Sequence, residues 1–179
     1  MGERLKGKVA IVTGGGSGIG RATCELFAEE GAQVVVADVD QRQGESVAAN
    51  IKNSGGQARF VFADISREED AARLTEETVG NFLGVDILVN NAAVFVLKGI
   101  EATVEDWRRS LDVNVIGPSL VSKFAVEEMK KRGSGAIVNL GSMSSFIAQR
   151  HFVTYSATKA AMVQMTRNMA MDLAPFNIR

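Results

Sequence analysis

A chain of 179 residues, 46% hydrophobic and 23% charged, has the composition of one ordinary globular domain with room for a full apolar core. A net charge of −1, with both signs spread along the sequence, offers no basic face for nucleic acid. The single cysteine, Cys24, excludes an internal disulfide, and no apolar run reaches the length of a membrane span, so a cytoplasmic protein that binds no membrane is expected.

The first apolar run, 9–12, leads into Thr13-Gly14-Gly15-Gly16-Ser17-Gly18-Ile19-Gly20 and then into a helical stretch, 21–28. This reads as strand, glycine turn and helix, the helix opening at about Gly18. Glycine lacks a Cβ, so such a turn is tight and lets an anion approach the backbone. The helix start adds free N–H groups and the positive end of its dipole. A diphosphate cradle is expected, with a bare tight turn as the alternative. The spacing is G-x-x-x-G-x-G over Gly14, Gly18 and Gly20, which is not the common G-x-G-x-x-G, and no Gly-Lys-Ser/Thr comes after it as a Walker loop requires.

Gly31 stops the first helix. Residues 33–38 read as a strand whose 34–37 are continuously apolar, as in a parallel strand covered on both faces. A helix over 41–53 buries Val47, Ala48 and Ile51 and ends at Gly55-Gly56. The third strand, 58–63, runs into Asp64-Ile65-Ser66. Ser66 with Glu69 predicts a capping box, and Ala71, Leu74, Thr78 and Phe82 predict one buried helical stripe. The fourth strand, 86–89, leads into Asn90-Asn91-Ala92-Ala93. A helical segment over 103–131 comes next, capped by Thr103 with Asp106 and bent near Gly117-Pro118. Its apolar face is Trp107, Leu111, Val115, Val121, Phe124 and Met129. A fifth strand covers 136–140, and a loop leads to a last helix over 153–173.

Five strands alternating with helices predict a doubly wound α/β domain with a parallel sheet, whose ligand sits beyond the carboxyl ends of the strands. The glycine turn, Asp38, Asp64, the 90–93 segment and Gly141-Ser142 all fall on that rim. A carboxylate at Asp38 can accept from both ribose hydroxyls of an adenosine and repels a 2′-phosphate, favouring NAD over NADP. Asp40 agrees with this and Arg42 opposes it; the alternative is that Asp38 caps the helix at 41. Asp64 is either a loop carboxylate or an adenine contact. Tyr155 and Lys159, four apart, share a helix face, where the ammonium would favour the phenolate and fit the tyrosine for proton exchange. Ser142, or on spacing alone Ser144 or Ser145, could donate to the same substrate oxygen. His151 is taken as a loop or pocket-wall residue. Asn114 is either exposed or buried with a specific partner. No cluster has metal-ligand spacing, so no metal is expected.

Together, Thr13 to Gly20, Asp38, Asp64-Ile65, Asn90 to Ala93, Asn114, Ser142, Tyr155 and Lys159 resemble, in order and spacing, the short-chain dehydrogenase/reductase family, over the whole chain. The resemblance implies a Rossmann-like sheet and a nicotinamide cofactor. It implies an oxidoreductase moving a hydride between NAD and a secondary alcohol or ketone. Tyr155 would be the acid/base and Ser142 would orient the substrate oxygen. Lys159 would hold the nicotinamide ribose, and Asn114 a water linking Lys159 to solvent. Asn90 would brace the central strands. Gly14, Gly16, Ser17, Gly18, Ile19, Gly20, Asp38, Asp64, Ile65, Asn91 and Ala92 would touch the cofactor together with Tyr155 and Lys159.

Ala93 replaces a glycine of many relatives, and Gly141 a serine. Relatives continue from a segment like 177–179 into a sixth strand, a Pro-Gly turn, a covering loop and a seventh strand. One dinucleotide-binding domain over 1–179, with five of the family's seven strands, is therefore expected, as a fragment of a longer chain; were 179 residues the whole, strand five would be left as a bare apolar edge. A homo-oligomer through the helices near 103–131 and 153–173 is implied. The competing reading is a truncated, non-catalytic dinucleotide-binding or interaction module.

Overall fold

The computed structural model describes residues 2–179. Five strands, β1 (Val9–Thr13), β2 (Gln33–Asp38), β3 (Gln57–Phe62), β4 (Ile87–Asn90) and β5 (Ala136–Asn139), form one parallel sheet in the order β3-β2-β1-β4-β5. Ile11 of β1 faces Val35 on one side and Leu88 on the other. All five residues of β1 are buried, which is why this strand reads as unbroken apolar sequence.

Helices cover both faces. α1 (Gly18–Glu29) and α2 (Gln41–Asn53) close one side over Val12, Cys24, Val34, Val36 and Val47. α3 (Glu68–Phe82) and α5 (Gly117–Arg132) close the other over Ile11, Val35, Leu74, Leu88, Val121 and Met129. Each such side chain stabilises the fold by roughly 1.5–3 kcal/mol on leaving water. Burial pushes the Cys24 thiol up to about 12, so this cysteine packs and does not react. α4 (Val104–Leu111) and α6 (Val153–Leu173) pack against each other, and α6 also touches β5.

Three local expectations are corrected. Ser66 does not cap α3: Arg67 holds that position without a side-chain bond, and the Ser66 hydroxyl donates to Asp64 Oδ1 at 2.6 Å. Asp64 has captured the residue that the capping box needed, and Glu68, Glu69 and Asp70 favour the helix start through its dipole instead. The 103–131 segment is two helices joined by a π-helical turn, Asp112–Ile116, with Pro118 in the first turn of α5 where its missing N–H costs nothing. A π-turn inserts residues relative to α-helical winding and rotates the rest of the helix by about 100° per inserted residue. The single apolar stripe is broken for that reason: Val121 and Met129 are buried while Leu111 is 38% exposed. Finally, β5 is at the sheet edge but not bare. Ile178 bridges Gly135 in parallel, and Ile137 N donates to Arg179 O at 2.8 Å, so 177–179 line its first half.

Candidate active site

Parallel strands deliver all their carboxyl ends to one rim, and a cleft of about 910 Å³ opens there. Its floor is the glycine turn. A Cβ on Gly20 would stand 2.1 Å from the Gly14 carbonyl oxygen, and one on Gly14, at φ +64°, would stand 2.9 Å from Ala92 Cα. Only glycine lets α1 close on the turn and the turn close on the segment after β4. Asn91 Nδ2 locks that contact by donating to the Thr13 and Gly14 carbonyls at 2.9 and 3.1 Å. Gly18 differs: its φ is +52° and nothing lies within 4 Å of its missing Cβ. Beside it Ser17, the N-cap of α1, makes no side-chain cap bond, and Ile19 is 68% exposed. The first N–H groups of α1 therefore face open cleft without a side-chain acceptor, which is what an anion needs.

Asp38 closes β2 beside this turn. Its Oδ2 accepts from Gly16 N at 2.8 Å and its Oδ1 from Asp40 N at 2.9 Å. The cap of α2 is Asp40, which accepts from Gln43 N, so the capping alternative for Asp38 does not hold. A carboxylate offers about four acceptor sites, and these two bonds leave the others for a ligand. Gly16 itself stands against Asp38, where a Cβ would come within 2.9 Å of Oδ2. Asp64 and Ile65 line the same cleft, Asp64 with its Oδ1 occupied by Ser66.

At the other end Tyr155 and Lys159 share the buried face of α6, and both line the cleft. The Tyr155 ring stacks on Phe95 at 5.0 Å and meets Phe152 edge-on at 6.0 Å. Lys159 Nζ donates to the Leu140 carbonyl at 2.7 Å and lies 6.0 Å from the Tyr155 ring centre. Burial holds its ammonium below the ordinary lysine value. Asn114 is in the π-turn, 1% exposed, and its neighbours settle the choice left by the sequence. Its Oδ1 accepts from Val94 N at 2.8 Å, and its Nδ2 donates to the Val94 carbonyl at 2.9 Å and to Thr158 Oγ1 at 3.2 Å. It ties the segment after β4 to α6.

Ser142 is half-buried at the start of a short 3-10 turn, and its Oγ accepts from Ser144 N at 3.1 Å, which leaves its proton to donate. Ser144 is buried and spends its hydroxyl on Gln149. Asn90 Nδ2 bridges Ser122 Oγ at 3.0 Å and Asn139 Oδ1 at 2.8 Å, linking β4 to α5 and β5. His151 stands exposed in the loop, 3.9 Å from Glu101.

Two features escaped the sequence reading. Thr13 Oγ1 donates to the Val89 carbonyl and accepts from Asn91 N and Ala92 N, fixing the turn to β4. The wall formed by Glu105, Arg108, Arg109, Asp112 and Val113 also lines the cleft. Its i, i+3, i+4, i+7, i+8 spacing is the signal in the sequence, one largely polar face of a helix opposite Trp107 and Leu111. Among the described residues no group of three or more His, Cys, Asp or Glu could hold a metal, and no helix is long and apolar enough to cross a membrane.

The sequence profile of the family described as short chain dehydrogenase matches residues 8–179. An uncharacterized oxidoreductase of Thermotoga maritima is 43% identical over 176 residues, which are 98% of this chain and 69% of that protein. The cis-4-hydroxycyclohexanecarboxylate dehydrogenase of Sinomonas cyclohexanicum is 38% identical over 181 residues, covering 100% of this chain and 72% of its own length. Among solved structures, 7 alpha-hydroxysteroid dehydrogenase complexed with NADH and 7-oxo glycochenodeoxycholic acid superimposes with a TM-score of 0.96 at 38% identity, over 98% of this chain and 69% of that one.

Proposed function

The chain belongs to the short chain dehydrogenase family of oxidoreductases, and from that membership we propose that it moves a hydride between NAD and a secondary alcohol or ketone carried on an alicyclic ring. The observation that carries the reading is the pairing of Tyr155 and Lys159 on one face of α6, at the cleft that also holds the open helix start at Gly18. The residues suit a dinucleotide: an uncapped helix N-terminus, a glycine with open space above it, and a strand-end carboxylate with free acceptor sites.

Bound nicotinamide supplies the hydride acceptor for alcohol oxidation. Tyr155 takes the hydroxyl proton, Ser142 donates to the same oxygen, and Lys159, one turn further along the same helix face, holds the ribose. Asn114 keeps Val94 and α6 in place around them. Asp38 favours NAD over NADP because its carboxylate repels a 2′-phosphate. Phe95, stacked on Tyr155 at the cleft, adds an apolar ring beside the reacting oxygen that suits a saturated ring. Two of the similar proteins carry names of ring alcohols or ring ketones. Residues 1–179 would act as one dinucleotide-binding domain in the cytoplasm, associating through the helices near 103–131 and 153–173.

The test is Tyr155→Phe, which keeps the ring and its stacking. With a panel of cyclic alcohols and NAD, the variant should lose at least about a hundredfold in turnover, while NADH affinity stays within a few fold. Retained turnover would remove Tyr155 from its role. Tight NADH binding by the unaltered chain with no alcohol oxidised would favour the non-catalytic module.

A further inference from the structure

After β4 the chain leaves the sheet, and residues 94–98 run beside α6 outside any helix or strand. Every second residue of this segment is tied down. Asn114 bonds both backbone groups of Val94, the Thr154 hydroxyl donates to the Val96 carbonyl, and Val153 N donates to the Lys98 carbonyl at 3.0 Å. Thr154 is fully buried at the start of α6. Phe95, between the first two ties, is 67% exposed, and its ring lies on Tyr155 at 5.0 Å with the two planes 22° apart. Phe152 offers Tyr155 only an edge, at 6.0 Å. Among the described residues the Tyr155 hydroxyl has no hydrogen-bond partner, so packing alone fixes the direction of that ring.

We infer that Thr154 is a positioning residue for the reaction: through the Val96 carbonyl it holds Phe95 on Tyr155 and so fixes the direction in which the Tyr155 hydroxyl enters the cleft. This rests on the reading of Tyr155 as the acid/base. Thr154 precedes Tyr155 and Val96 follows Phe95, so one hydrogen bond joins the immediate neighbours of the two stacked rings. An exposed phenylalanine on irregular chain has little packing of its own to hold it. With both flanking residues bonded, its backbone cannot swing away, and offset stacking then sets the plane of the phenol. Without the Thr154 hydroxyl the segment gains freedom between its remaining ties at Val94 and Lys98. Proton transfer tolerates little misplacement of the group that makes it.

Turnover and a ring signal test this together, on the full chain. Tyr155 is the only tyrosine, so 13C-tyrosine labelling gives one ring resonance, displaced by the ring current of Phe95. Thr154→Val keeps the side-chain shape and removes the hydroxyl. It should move that resonance toward its position in Phe95→Leu and lower kcat for cyclic alcohols roughly three- to tenfold, the worth of an aromatic pair. The NADH Kd should not change, and Thr154→Ser should restore both readouts. Phe95 is exposed, so its replacement spares the core. Adding Thr154→Val to Phe95→Leu should lower kcat no further, because the two act through one contact. A resonance unmoved by Thr154→Val overturns the inference whatever the turnover. So do additive losses in the double variant, full turnover in Phe95→Leu, or a loss in Thr154→Val that follows only the fraction of folded protein. If the unaltered chain oxidises no cyclic alcohol while the resonance still responds, it is the acid/base reading that fails and not the hold on the ring.

Discussion

At Asp38 one carboxylate holds the glycine turn through Gly16 N and the approach to α2 through Asp40 N, and still presents acceptor sites to the cleft. Asp38→Ala should weaken NADH by about ten- to hundredfold, the worth of hydrogen bonds to a charged group. NADPH should lose less, because a repulsion disappears with the attraction. Fluorescence titration with both nucleotides checks this, and equal losses would remove the basis for cofactor choice. Single residues were unevenly legible in the sequence. Asp38 could be read because its position at a strand end defines its surroundings. Asn114 could not, since its partners Val94 and Thr158 lie 20 and 44 residues away and meet only in the folded chain. Ser66 was misread because Asp64, two residues earlier, outcompetes the helix for its hydroxyl.

On the scale of elements, α4 shows a local rule kept and a periodic one broken. Thr103 and Asp106 form the capping box that their spacing announces. The Thr103 N–H, the Lys98 ammonium and the Thr103 hydroxyl together pull the Asp106 carboxyl down to about 2. A depressed carboxylate stabilises the fold above its unfolded value, near 4, and that contribution is lost as pH falls through about 2. Asp106→Asn should therefore lower Tm at neutral pH, with the gap to the unaltered chain closing between about pH 4 and pH 2. Melting monitored by circular dichroism at several pH values checks it; a gap independent of pH would show that the charge is not its source. The apolar stripe beyond was not legible, because a π-turn has no signature in hydrophobic spacing. What marks it is the buried polar Asn114 that it carries.

For the whole molecule, alternation of strands and helices was enough for the architecture, and the ends of the strands were enough to locate the rim. The order β3-β2-β1-β4-β5 reverses direction between β1 and β4, and the cleft opens at that reversal. Apolar surface remains on the outer helices: Leu111 and Ile116 are 38% and 45% exposed, and Met171 of α6 is 79% exposed. Exposed apolar area of this kind favours association. The chain should sediment as an oligomer, and Leu111→Glu with Ile116→Glu should shift it toward monomer. A monomer at all concentrations for the unaltered chain would count against assembly through these helices.

The charged wall of α4 has one more consequence. Trp107, the only tryptophan of the chain, sits half-buried on that helix between the residues that face the cleft. The protein therefore carries its own optical reporter. Reduced nicotinamide absorbs where tryptophan emits, so its arrival should quench the emission of Trp107 by energy transfer. Occupancy could then be tracked in real time without a label, in the same sample whose catalysis is being measured.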